Sequence, residues 1–220
     1  EESAKVVEAA IRRAANKPTG ELTKADLEKV TDLYLGRNQL SDVSGLEKLT
    51  QLETLSLDYN QLTEVPKELE KLTQLKKLNL GDNQLTSVKG LEKLTRLKEL
   101  VLMNCKLTEV PKGLENLTQL ERLYLQNNQL TNVKGLEKLT QLTFLRLDDN
   151  KLTNVKGLEK LTKLEELILY SNQLTDVKGL EKLTRLGSLR LDKNPDLTKA
   201  QIAELKKALW RCTIYSNPTK

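Results

Sequence analysis

The chain has 220 residues, 3% aromatics, a net charge of +5 and an apolar content carried mainly by leucine. It holds no histidine, which removes the usual general base, the commonest metal ligand and the near-neutral pH switch, so Ser-His-Asp and Cys-His catalysis are excluded within it. No apolar run approaches the roughly 20 residues that span a bilayer, and the opening Glu1-Glu2-Ser3 is not the basic then apolar start of a secretory signal.

The first element is a helix over Ala4 to Ala15, where Val6, Val7, Ala10, Ile11 and Ala14 recur at helical spacing. A loop through Lys17-Pro18-Thr19-Gly20 follows. Thr23 then caps a second short helix, Lys24 to Lys29, with Asp26 at the capping-box position. Residues 1–29 are therefore expected to form a helical N-terminal cap.

Residues 30–197 repeat one phrase, Leu-x-x-Leu-x-Leu-x-x-Asn-x-Leu. A clean copy runs Leu52, Leu55, Leu57, Asn60, Leu62, and another runs Leu142, Leu145, Leu147, Asn150, Leu152. The asparagine position is filled by Asn38, Asn60, Asn83, Cys105, Asn128, Asn150, Asn172 and Asn194, at intervals of 22 or 23 residues. In Leu145-Arg146-Leu147 alternation along a strand turns both leucines inward and Arg146 outward. Every turn repeats this, so the strands stack in parallel. The asparagine amide, with donors and an acceptor, can satisfy turn groups buried by the stacking, which predicts an asparagine ladder. The second half of the repeat is nearly constant. Val-Lys-Gly-Leu-Glu-Lys-Leu-Thr occurs from Val88, Val133, Val155 and Val177, and once with serine from Val43. The arcs from Val65-Pro66 and Val110-Pro111 carry the extra residue of the 23-residue spacing. Proline suits the first position of a helical turn, and all the arcs are expected to be short 3₁₀ or single-turn helix on the outer side.

Residues 198–220 form the C-terminal cap. Thr198 can cap a helix to about Ala208, with Ile202, Leu205 and Leu209 on one face. Leu209 to Asn217 then reads as the phrase once more, parallel to Leu164 to Asn172, with Cys212 and Ile214 in leucine slots. This predicts a ninth strand. Cys105 lies in the fourth repeat and Cys212 past the eighth, about five strand steps or roughly 24 Å apart. A disulfide needs Cα atoms within about 7 Å, so both are expected as free thiols. Cys105 reads as an inert substitute in the ladder, and Cys212 as core.

From about Val30 to Asn194 the pattern resembles the 22-residue class of leucine-rich repeats in bacterial internalin-like proteins. The resemblance implies an α/β solenoid: a right-handed arc with a concave parallel sheet of about nine strands, convex 3₁₀ turns, a helical N-terminal cap and a helix-plus-strand C-terminal cap. It also implies export to a bacterial surface, any signal peptide lying outside this chain. The two proline-bearing arcs depart from internalin-like spacing and are expected to alter local curvature only.

The outward strand positions vary while the arcs barely change. Val101, Met103, Arg122, Tyr124, Phe144, Arg146, Ile168 and Tyr170 fall there in successive repeats, and include the only Phe and the only Met. They predict one apolar and aromatic patch interleaved with arginine, the composition of interface hot spots. The strands before it, with Ser56, Asn79 and Gly81, read as quieter. Acids outnumber bases on this face: Asp32, Asp58, Asp82, Glu99, Asp148, Asp149, Glu166 and Asp192 against Arg37, Lys77, Arg122, Arg146, Arg190 and Lys193. The surplus lysines alternate with glutamate on the arcs, so no basic stripe for nucleic acid arises. No calcium loop, phosphate loop or nucleophile motif occurs, and no metal or cofactor is expected. An outward carboxylate on an open sheet is solvated and lacks a means of raising its pKa. The reading is a monomeric, non-enzymatic module that binds a protein or peptide on the concave face, without nucleic acid or a membrane span. The four identical arcs also fit a consensus-engineered scaffold or binder with no natural function.

Overall fold

In the computed structural model, which describes residues 2–85 and 87–218, nine three-residue strands form one parallel sheet in sequence order. They are β1 (Asp32–Tyr34), β2 (Thr54–Ser56), β3 (Lys77–Asn79), β4 (Glu99–Val101), β5 (Arg122–Tyr124), β6 (Phe144–Arg146), β7 (Glu166–Ile168), β8 (Ser188–Arg190) and β9 (Thr213–Tyr215). Each central leucine sits opposite the next, as in Leu123 to Leu145 to Leu167, so outward residues align in rows across the sheet. Behind the sheet one continuous leucine core runs from Val7 to Leu209, most of its side chains fully buried.

The ladder forms, and its chemistry explains the choice of asparagine. Asn150 Oδ1 accepts the Leu130 N–H at 2.9 Å, while Nδ2 donates to the carbonyls of Leu125, Leu147 and Asp148 at 2.9, 3.1 and 3.2 Å. One amide thus ties two successive turns together and satisfies backbone groups that stacking removes from water. Asn60, Asn83, Asn128, Asn172 and Asn194 are buried in the same role. Asn38 is exposed, because no repeat precedes it. The residue before each ladder position adopts left-handed backbone, from Tyr59 (φ 52°) to Lys193 (φ 52°). Its N–H reaches the next repeat, as in Asp149 N to Tyr170 O at 3.1 Å.

The arcs are 3₁₀ turns, as expected, and their constant phrase has a mechanical reason. Gly157 sits at φ 109°, backbone that a side chain would strain, and its N–H donates to Glu159 Oε2 two residues on at 2.6 Å. The Gly-Leu-Glu triplets of five other arcs repeat this clasp. The two proline arcs differ from each other. One turn begins at Lys67, directly after Pro66. The other begins at Leu114, because Gly113 can take the left-handed start and Pro111 stays outside the turn. Glu68, in the place of Gly113, lacks that freedom.

Both ends are closed as the pattern suggests, with three corrections. Helix α1 (Glu2–Ala14) buries Val7 and Ile11, and Ala15 completes the stripe. Ala14 faces outward, since the buried spacing is four residues from Val7. Helix α2 (Lys24–Leu27) carries the full Thr23–Asp26 capping box and is shorter than expected. Helix α3 (Lys199–Ala208) starts with a second capping box, Thr198–Gln201. The third correction concerns β9. Leu189 pairs with Ile214 and Arg190 with Tyr215, so the last strand is shifted two residues from the alignment that puts Cys212 beside the first leucine of the strand. Cys212 precedes the strand and is half-buried. Asn217 is not a ladder residue: its side chain accepts the Lys193 N–H at 2.7 Å, a bond that a backbone carbonyl accepts in the preceding repeats. Both cysteines are free thiols. The outermost residues of the two caps, 1 and 219–220, lie outside the described residues. No helix among the described residues is long and apolar enough to cross a membrane.

Candidate protein-binding face

Register assembles the candidate face. One row across the sheet runs Val101, Tyr124, Arg146, Ile168, Arg190, Tyr215, and the row beside it includes Glu99, Arg122, Phe144 and Glu166. Tyr124 and Phe144, on adjacent strands, pack with ring centroids 5.1 Å apart. Arg122 lies over Phe144 at 4.3 Å and donates through Nε and Nη2 to Tyr124 Oη at 3.1 and 2.8 Å. Its guanidinium is 3.8 Å from the Glu99 carboxylate. Tyr124, Phe144 and Arg122 thus form one preorganised cluster.

On the next strand positions, Arg146 grips Asp148 in a two-point fork at 3.0 and 2.8 Å. Asp148 is 1% exposed and Arg146 about a third, so the pair presents the arginine and hides the acid. Met103 lies flat over Gly81, where an added Cβ would stand 2.9 Å from Met103 Cγ, and its sulfur accepts from Gln126 Nε2 at 3.3 Å. Tyr170 hydrogen-bonds Asp149, which raises the phenol pKa above its ordinary value. Arg190 and Lys193 lie over the Tyr170 ring at 5.0 and 5.8 Å.

The eight expected residues do fall on one face, but unequally. Val101, Met103, Arg122, Tyr124, Phe144, Arg146 and Tyr170 are accessible, whereas Ile168 is only 9% exposed and offers little surface. Sequence reasoning missed Arg190, Lys193 and Tyr215 as an extension of the patch. With β9 in its observed register, Tyr215 stands beside Arg190, 5.9 Å from its guanidinium, and not beside Asp192. The largest exposed aromatic surfaces lie toward the ends, at Tyr34, Tyr59, Tyr215 and Trp210, so the N-terminal strands are less quiet than expected. Arg37 covers Tyr59 there at 4.2 Å.

Clefts of about 890 and 500 Å³ lie along the two proline-bearing arcs, away from Glu99 and Glu166. No group of three or more metal-ligating side chains occurs among the described residues.

A parallel sheet of stacked 22- and 23-residue turns, held by an asparagine ladder, defines a solenoid of the leucine-rich repeat class. The chain belongs to that family: the profile of a leucine-rich repeat region matches residues 81–213, and related leucine-rich repeat profiles match residues 50–107 and 28–71. Within it the chain is internalin-like. It is 28% identical to internalin C2 of Listeria monocytogenes, over 97% of this chain and 93% of that one, with a TM-score of 0.90. It is also similar to a leucine-rich repeat protein of Leptospira interrogans, at 34% identity over 88% of this chain and a TM-score of 0.80, of which it spans about half (51%). The fold extends to the plant peptide hormone receptor RGFR1, solved in complex with RGF2, at 24% identity and a TM-score of 0.69, with the chain covering 33% of the receptor.

Proposed function

We propose that this chain is a non-enzymatic binding module that recognises a protein or peptide partner through the concave face of its sheet, acting as a monomer. The carrying observation is where the aromatic residues are. None belongs to the buried core, which is built from leucine, valine and isoleucine with few other residues. The fold therefore does not need them, yet Tyr124, Phe144, Tyr170 and Tyr215 gather on the sheet face beside Arg122, Arg146 and Arg190. Rigid aromatics and arginine are the side chains that dominate interface energetics. The leucine-rich repeat family, a common protein-interaction scaffold, supports the same reading.

Affinity capture with the intact chain tests it, comparing proteins retained by the wild type with those retained by Phe144→Glu and by Phe144→Glu/Tyr124→Ala. Loss of the retained partner in both variants, with unchanged circular dichroism, is the expected result. Undiminished capture by the folded double variant would remove this face as the site.

A further inference from the structure

We infer that the rim of the face around Gln126 takes a basic side chain, lysine or arginine, of the protein partner. This rests on the sheet face being the binding surface. Gln126 is 4% exposed, and its Oε1 is buried without a hydrogen-bond partner. Its neighbour sets the orientation of the amide. A thioether sulfur accepts and cannot donate, so the nitrogen faces Met103 Sδ and the oxygen is left over. Folded proteins leave few such atoms, and a desolvated acceptor gains from any donor brought to it.

A second acceptor lies on the other flank of Met103. Asp82 Oδ2 is also buried without a partner, while its Oδ1 accepts from Asn104 Nδ2 at 2.7 Å. Asp82 follows β3 and Gln126 follows β5, two strand spacings or roughly 10 Å apart. Both leftover atoms are acceptors, so a partner must bring donors.

Charge selects the kind of donor. At the two positions after the second leucine, from the β2 repeat to the β7 repeat, the charged side chains are Asp58, Asp82, Asp148 and Asp149, without a base. Only Asp148 is neutralised locally, by Arg146. Lys106 and Lys151 stand farther along the turn, and Lys151 is engaged with Gln129 Oε1 at 3.1 Å. A cation is therefore favoured over a neutral N–H. Met103 and the Tyr124–Phe144 pair supply an apolar bed for the methylene stem of lysine or arginine. Met103, unbranched and adaptable, is the side chain that shifts to admit the head group.

The test uses a random peptide library displayed on phage, selected on the intact chain and counter-selected on Phe144→Glu. Recovered peptides are expected to share a lysine or arginine next to an apolar residue. Replacing that residue with norleucine, which has no donor, weakens binding about tenfold. Gln126→Leu weakens the parent peptide similarly but leaves the norleucine peptide unchanged, the non-additivity of a direct pair. Asp82→Asn, which keeps the shape and removes the charge, gives a smaller loss in the same direction. Peptides that depend on Phe144 yet carry no basic residue, or additive effects of the two changes, overturn the inference and leave the binding face standing. If selection without the counter-selection step yields binders and none of them depends on Phe144, both are overturned.

Discussion

Replacing Cys105 with asparagine should stabilise the protein. Position 105 is a ladder site, 0% exposed, between Asn83 and Asn128. A ladder asparagine there would accept the Leu85 N–H, as Asn150 accepts that of Leu130. The thiol has no oxygen for that role. Its sulfur donates at most one proton, shared between the carbonyls of Leu80 and Met103 at 3.4 and 3.3 Å. Cys105→Asn supplies one strong acceptor and one additional donor, a net gain of about 1–2 kcal/mol, since each buried hydrogen bond contributes about 0.5–1.5. For a chain of this length that raises Tm by about 2–8 °C. The assay is thermal and urea unfolding of both proteins, following the midpoint and the slope together. A solenoid can lose cooperativity between turns, and an unchanged slope licenses the comparison. A lower midpoint for Cys105→Asn would refute the assignment of this position to the ladder.

Gly157→Ala should cost about 1–2 kcal/mol from its left-handed backbone, although the added Cβ finds ordinary space 3.9 Å from Glu137. Gly187→Ala, at ordinary backbone with its nearest neighbour 3.7 Å away, should change stability by less than about 0.5 kcal/mol, and equal losses in the two melting curves would refute the role of the clasp. Acid should destabilise the fold. The Thr23 cap holds Asp26 at about 2 against an ordinary 3.8, and hydrogen bonds from their own backbone and from Gly135 and Gly157 hold Glu137 and Glu159 below 4.5. Folded values below unfolded ones give stability that is complete above about pH 5 and lost as pH falls toward 2, and a Tm that stays flat or rises through that window would contradict it. Burial pushes the Cys105 thiol to about 11 and raises Cys212 as well. Ellman's reagent at pH 8 should therefore leave Cys105 untouched in native Cys212→Ser protein and react with it in urea, whereas rapid native labelling would place Cys105 at the surface.

What was legible follows from what repeats. A period fixes which residues face inward, so the sheet, the ladder, the 3₁₀ arcs, the Thr23–Asp26 capping box and the Thr198 cap could be read from leucine, asparagine and threonine positions. What escaped depends on unique neighbours. A slip of two residues keeps every side chain on its own face, so the pattern around Cys212 and Ile214 could not distinguish the two registers of β9. In the register observed, Tyr215 lies alongside Arg190. Ile168 was counted as surface because its strand position points outward, yet it is almost fully covered. The isolated oxygen of Gln126 depends on the Met103 sulfur one strand away, a contact with no trace in the spacing.

The Gly-Leu-Glu clasp makes each arc that carries it self-sufficient: the residues that start its 3₁₀ turn belong to the same repeat. A ladder amide in turn asks only for some neighbour of standard shape. Excising residues 129–150 would leave Asn172 to meet Leu152 N and Leu125 O in the places that Asn150 now serves. Tyr124 would then stand beside Ile168, with Phe144 gone. Such a chain can therefore rewrite the sheet face proposed to bind a partner by gaining or losing whole coils, with no compensating change elsewhere in the scaffold.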